Sequence, residues 1–245
     1  MRCCFVTDLH IDQPGIFPLG LDTQDQFLKV LDHIKGQNYD VIILGGDLCN
    51  KTGDEAIYQW ISAQIADIQV PVFAISGNHD TSTLLADSFG LSQYMNAGEL
   101  FYTKIIEGIE FIFLDTSAGK MSDQQWALLA QKIDSCDGRN LFVMMHHPPI
   151  IAGSAHMEPK YQFEQMDRFK SLTLKYSHKQ FHVFCGHYHL ERTIVSDNVT
   201  VYISPSTFVQ IDPNYMEFRP FMPYFGYREV ILDDDGKIMT NVMYM

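Results

Sequence analysis

The stretch VFAISGNHD, residues 72–80, runs from a continuous apolar segment straight into an amide, an imidazole and a carboxylate. A short apolar run without alternation reads as a strand buried on both faces, the kind used by a parallel sheet covered by helices. Gly77 and Asn78 suffice for a turn after such a strand, so His79 and Asp80 call for another explanation.

The same kind of run recurs along the chain as RCCFVT, YDVIILG, IEFIFLD, NLFVMM, FHVFCG and VTVYIS. Amphipathic segments lie between many of them. In TQDQFLKVLDHIKGQ, residues Phe27, Val30, Leu31 and Ile34 share one helical face, and in TGDEAIYQWISAQIADI the residues Ile57, Trp60, Ile61, Ile65 and Ile68 do the same. SDQQWALLAQKI opens with Ser122 and Gln125 in capping-box spacing, and a further helix is expected over much of Tyr161 to Tyr176. Strands alternating with helices make the fold class α/β. YREVILDDDGKIMTNVMYM reads as a hairpin turning at Asp-Gly, and the strand-rich C-terminal part suggests a second, more antiparallel sheet. Without repeats or linkers, residues 1–245 read as a single domain, with 204–245 as an extension packed on it. The aromatic, proline-interrupted segment 213–227 reads as neither strand nor helix; stacking on a nucleobase, capping a site, dimer contact and local packing all remain open for it.

Composition narrows the function. The formal net charge of −13 over 245 residues opposes binding to a nucleic-acid polymer, which depends on Lys and Arg neutralising phosphates. An anionic substrate would need a local positive charge such as a metal ion. MRCCFVTDLH is too short for a signal-peptide core, and no apolar stretch reaches the roughly 18 residues of a membrane span. The five cysteines are odd in number and contain no CxxC pair. Cytoplasm is the simplest location and no membrane partner is expected; a homo-oligomer is left open.

Polar chemistry collects after the apolar runs. Asp8 and His10 follow the first, Asp47 the second, and Asn78, His79 and Asp80 the third; His146 and His147 follow NLFVMM, and His187 and His189 follow FHVFCG. Alone, each has an ordinary reading: a cap, a turn former, a half-buried strand end. Metal-capable side chains after five runs in one chain argue for a shared site, because the carboxyl ends of strands in an α/β sheet form one ligand-binding edge. Oxygen and imidazole donors suit Mn, Fe, Zn or Co. They are too many for one tetrahedral zinc and fit two ions sharing a carboxylate, which together would clamp a phosphoryl group. Cys49 and Cys185, beside these residues, read as small buried hydrophobes. His156 and Lys160 lie in a loop that could contact a substrate, with a solvated loop as the ordinary reading.

Five ordered blocks, DLH (8–10), GGD (45–47), GNHD (77–80), HHPP (146–149) and GHYH (186–189), resemble those of the calcineurin-like metallophosphoesterases, and with SPSTFVQIDP (204–213) the chain is similar to the class III, Icc-type cyclic-nucleotide phosphodiesterases. The resemblance implies a four-layer α/β/β/α sandwich with the site at the strand C-terminal ends. It implies two divalent ions, Fe or Mn favoured. Asp8, His10 and His189 would bind one ion, Asn78, His146 and His187 the other, and Asp47 would bridge. His147 would lie just outside the ligands. His79 would face the substrate as a catalytic residue, its imidazole held by Asp80. The implied reaction is attack of metal-bound hydroxide on a small phosphodiester, 3′,5′-cyclic AMP or a related cyclic nucleotide first. A glycerophosphodiesterase or phosphomonoesterase with the same site is the alternative, and a non-catalytic binding scaffold a distant one.

Overall fold

The protein is described by a computed structural model covering residues 1–221, 224–233 and 236–245. The chain runs from β1 (Arg2–Val6) through α1 (Thr23–Lys35) to β2 (Val41–Leu44), and through α2 (Glu55–Ile65) to β3 (Val72–Ala74). Next come α3 (Ser82–Ser88), a small ladder of β4 (Met95–Asn96) with β5 (Glu99–Leu100), and the hairpin of β6 (Tyr102–Ile106) and β7 (Ile109–Phe113). α4 (Asp123–Ser135) leads to β8 (Asn140–Met144), and α5 (Glu158–Tyr161) and α6 (Met166–Lys175) lead to β9 (Gln180–Cys185). β10 (Arg192–Ser196), β11 (Val199–Ile203), the short pair β12 (Gln210–Ile211) and β13 (Pro220–Phe221), and a hairpin of β14 (Gly226–Leu232) and β15 (Ile238–Tyr244) complete it.

Two sheets result, ordered β15-β14-β1-β2-β3 and β10-β11-β9-β8-β7-β6. β1, β2 and β3 run parallel, as do β7, β8, β9 and β11. Alternation along the second sheet shows how the layers stack. Phe111, Phe113, Phe142, Met144 and Phe184 join the core shared with β1, β2, α1 and α2, whereas Ile112, Leu141, Val143 and Val183 pack with Trp126, Leu129 and Ile133 of α4 and Phe169 of α6. Phe5–Phe184 and Phe73–Phe113 ring contacts at 6.4 and 5.7 Å join sheet to sheet. Helices therefore flank a sheet pair, the expected four layers. No helix among the described residues is long and apolar enough to cross a membrane.

Local departures from expectation have physical causes. The helix expected over 161–176 is two helices, because the intervening chain turns to bury Phe163 and to donate Glu164 N–H to Gly119 O at 2.8 Å. Ser122 caps α4 through Gln125 N at 3.4 Å, but the Gln125 amide does not complete the box: it exchanges two 2.8 Å hydrogen bonds with the Asp115 backbone. The closing hairpin forms, yet it extends the first sheet by pairing antiparallel with β1 and makes no second sheet of its own. Part of its turn, 234–235, lies outside the described residues, as do 222–223 of the aromatic segment.

Candidate metal centre

β1, β2, β3, β8 and β9 each end on a motif loop, and these loops meet. Their backbones are unusual. Asp8, His10, Asp47, His187 and His189 all have φ between 46° and 68°, the left-handed region that non-glycine residues rarely enter and that persists only when surrounding contacts impose it. The contacts are visible. Asp8 N–H donates to Gly46 O at 2.9 Å and His10 N–H to Asp47 O at 3.0 Å, so the first two loops run hand in hand. His187 N–H donates to both Asp8 carboxylate oxygens at 3.0 and 3.1 Å, which ties in the fifth loop. Two glycines allow the approach. A Cβ on Gly77 would lie 2.3 Å from Asp47 Oδ1, and one on Gly186 2.3 Å from Asp8 Oδ2.

Three groups of side chains bring metal-capable atoms within 4.8 Å of one another: Asp8, His10 and His189; His10, Asp47 and His79; Asp47, His146 and His187. Asp47 belongs to two of them. The imidazoles are aimed by the backbone. Nδ1 of His146 and of His189 each sits 2.8 Å from a carbonyl, Gly45 O and Val209 O, which turns Nε2 inward. His187 is held the other way, Nε2 at 2.8 Å from Tyr161 O, leaving Nδ1 for the centre. Such outer partners fix the tautomer and orientation of metal-binding histidines.

The interior of this cluster has the marks of a cation site. His10 Nε2 and His189 Nε2 face each other at 3.0 Å, with Asp8 Oδ1 3.3 Å from the latter. His146 Nε2 is buried and 3.2 Å from Asp47 Oδ2, yet no hydrogen bond reaches it among the described residues. Imidazole and carboxylate atoms converging this closely, one of them without a hydrogen-bond partner, are the donor set a divalent ion satisfies. Burial alone would raise the Asp8 and Asp47 carboxyls; His189 beside Asp8 and His146 beside Asp47 outweigh it and hold both below the usual carboxylate range. Burial pushes His10 down to about 3 and His187 down to about 4, which keeps both imidazoles neutral and able to donate a lone pair.

Asn78 and His79 line the same cavity, of about 660 Å³. His79 donates its backbone N–H to Asp47 Oδ1 at 2.8 Å, and its Nδ1 lies 3.1 Å from Lys51 O. The expected grip of Asp80 on this imidazole is not what the structure contains. Asp80 accepts from Gly77 N at 2.9 Å, Leu48 N at 3.1 Å, Cys49 N at 3.3 Å and Tyr58 Oη at 2.9 Å. Its carboxylate staples the GGD loop to the GNHD loop, because those turn N–H groups point at it and a backbone carbonyl already orients His79. His147 packs against His187, ring centroids 4.0 Å apart, with Nδ1 3.0 Å from Thr116 Oγ1.

The sequence reading missed several participants. Thr7 Oγ1 donates to Asp8 Oδ2 at 2.9 Å, and Ser206 Oγ donates to Asp8 O at 3.0 Å, which gives the SPST block a task as a brace for the first loop. Phe208 lies against His10, ring centroids 5.4 Å apart and planes tilted by 44°. His156, for which a solvated loop was the ordinary reading, is buried and lines the cavity with Tyr161 and Phe218, while Lys160 is exposed. Cys49 is fully buried and its thiol pushed up to about 12 by burial, with no place in the three groups. A larger cleft of about 1010 Å³ lies where β7 and β8 begin and contains none of the motif residues.

Comparison with known proteins agrees with this geometry. A family model described as calcineurin-like phosphoesterase matches residues 1–191. A protein of Fibrobacter succinogenes named as a probable cyclic nucleotide phosphodiesterase is 32% identical over 213 residues, 87% of this chain and 82% of that protein. The 3′,5′-cyclic adenosine monophosphate phosphodiesterase CpdA of Escherichia coli K12 is 26% identical, covering 99% of this chain and 89% of its own. Among solved structures, a dimetal phosphatase from Danio rerio superposes with a TM-score of 0.72 at 11% identity, covering 98% of this chain and 95% of that one, a likeness of fold. With its five motif loops gathered where strands of both sheets end and its family model spanning most of its length, the chain belongs to the calcineurin-like phosphoesterases.

Proposed function

We propose that the protein hydrolyses 3′,5′-cyclic AMP or a closely related cyclic nucleotide, using two divalent metal ions. A phosphoric diester hydrolase is what the family and the curated relatives support. The observation that carries the two-ion reading is the double membership of Asp47, which stands with His10 on one side and with His146 and His187 on the other. In this reading Asp8, His10 and His189 hold one ion, Asn78, His146 and His187 the other, and Asp47 both. Mn and Fe suit these oxygen and imidazole donors. When bound, the ions supply Lewis acidity toward the phosphoryl oxygens and acidify water into a nucleophile.

The chain's own residues do the rest. No Lys or Arg is among the described residues lining the cavity, so the acidic protein relies on the ions for attraction of the phosphate and gains no footing for a nucleic-acid polymer. His79, with Nδ1 against Lys51 O, offers Nε2 toward the cavity, where a protonated ring passes its proton to the leaving oxygen. Asp80 acts on that step only through the loops it ties together, and His147 supports the ring of His187.

The test is a side-by-side rate comparison on cyclic AMP, a glycerophosphodiester and a phosphomonoester, with added Mn²⁺ and a chelator control. Chelator-sensitive turnover with cyclic AMP preferred is the expected result. Preference for either other ester would overturn the substrate assignment while keeping the site, and inertness toward all three with two ions bound would mean a binding scaffold.

A further inference from the structure

We propose that His156, flanked by Tyr161 and Phe218, recognises the base of the substrate by accepting a hydrogen bond from an exocyclic amine. The inference rests on the cyclic-nucleotide reading and deepens it. One end of the 660 Å³ cavity holds the candidate ligands; the remaining wall is apolar and aromatic, with Leu19, His156, Tyr161, Phe208 and Phe218. The His156 ring lies 6.0 Å from Tyr161 and 5.9 Å from Phe218, centroid to centroid. Tilted by 51° and 54°, the three rings touch and form one aromatic patch on the cavity wall, against which a flat heteroaromatic group can stack; stacking of this kind accepts any base.

Selectivity needs a directional group, and His156 supplies one beside Asn50 and the Tyr161 hydroxyl. Its Nδ1 is 2.8 Å from Met216 O. A carbonyl only accepts, so Nδ1 carries the hydrogen, and in that tautomer Nε2 is the acceptor. The imidazole is buried, so its orientation is imposed by the protein. Both sides of the mount are anchored: Ala155 N–H donates to Pro213 O at 2.8 Å, Glu158 accepts from Gly153 N at 2.7 Å, and Asp212 N–H donates to Arg219 O at 2.9 Å at the base of the strap carrying Phe218. The same α5 that presents Tyr161 also supplies the carbonyl holding His187, so base recognition and the metal centre share one element. An acceptor in an aromatic patch selects bases that bear an amine, adenine foremost.

The experiment compares kcat/KM for cyclic AMP, for the cyclic phosphate of purine riboside, which lacks the 6-amino group, and for bis-p-nitrophenyl phosphate. The wild type is expected to prefer cyclic AMP over the amine-free analogue by about tenfold, the value of one hydrogen bond. His156→Ala is expected to erase that preference through KM while leaving bis-p-nitrophenyl phosphate turnover unchanged. Equal use of both cyclic nucleotides by the wild type would overturn the inference without any variant, and so would an His156→Ala loss equal on all three substrates. Turnover of the synthetic diester with neither cyclic nucleotide would instead overturn the underlying substrate reading, and the base site with it.

Discussion

Where β1, β2, β3, β8 and β9 end, buried carboxylates and imidazoles converge on left-handed backbone; where β7 and β8 begin, a larger cleft is lined by Ile109, Glu110, Arg139, Asn140 and Phe142. The strands are shared, and the cleft with more volume has less chemistry. Its positive-φ residues, Glu107 and Gly108 between β6 and β7 and Gly236 between β14 and β15, sit in hairpin connections, where such angles are ordinary. What separates the two edges is imposed geometry. At the carboxyl edge the loops are pinned to one another by hydrogen bonds across the two sheets, and carboxylate and imidazole atoms converge on one another. At the amino edge Glu107, Asp137 and Arg139 are exposed and Glu110 pairs with Lys132 at 2.5 Å.

That contrast can be broken most severely at Asp47. Replacing its shared carboxylate, Asp47→Asn, removes several kcal/mol of transition-state stabilisation, a fall in kcat of about 10³-fold or more, read from initial rates with saturating Mn²⁺. Activity within a few-fold of wild type would show that the two groups do not work as one site. Asp80→Asn comes next. Asp80 serves four donors, and an amide can accept through only one oxygen. The loops then loosen and metal affinity drops by about 10- to 100-fold, the usual cost of losing an outer partner, measured by Mn²⁺ titration. Unchanged affinity would deny the staple.

The opposite edge provides smaller effects. His182 stacks on Phe142, with Nε2 3.3 Å from Asn140 Oδ1 and Nδ1 3.3 Å from Tyr202 Oη. Burial pushes it down to about 4. Between the ordinary value near 6.5 and about 4, the unfolded chain takes up a proton that the folded chain refuses. The His182 contribution is thus fully present above 6.5 and lost as pH falls toward 4. His182→Gln should flatten that part of the Tm-versus-pH curve relative to wild type; parallel curves would contradict it. Arg139→Ala, exposed in the amino-edge cleft, should leave turnover unchanged and stability within about 0.5 kcal/mol. A loss of activity there would erase the distinction between the edges.

The sequence was legible where chemistry follows a strand directly. Asp8, Asp47 and His187 each stand within two residues of an apolar run, and their types alone suggest a cation. The α/β class was legible in the continuous apolar runs between amphipathic segments, whereas the four layers came only with the family resemblance. Asp80 was misread because its partners are backbone N–H groups of three separate positions, which leave no mark on residue identity. His156 and Phe218 were legible only as open candidates, a loop that could touch substrate and an aromatic segment that could stack a base, because they lie in irregular chain whose placement depends on carbonyls such as Met216 O and Pro213 O. The pairing of β14 with β1 joins residues more than 200 positions apart and has no local signal.

The central claim, that the carboxyl ends of the two packed sheets hold a shared two-ion site, is tested most directly by counting metal. Protein stripped with chelator, reloaded with Mn²⁺ and passed through a desalting column should carry two ions per chain, and Asp47→Asn fewer than two. One ion per chain in the wild type, or two retained by Asp47→Asn, would contradict it.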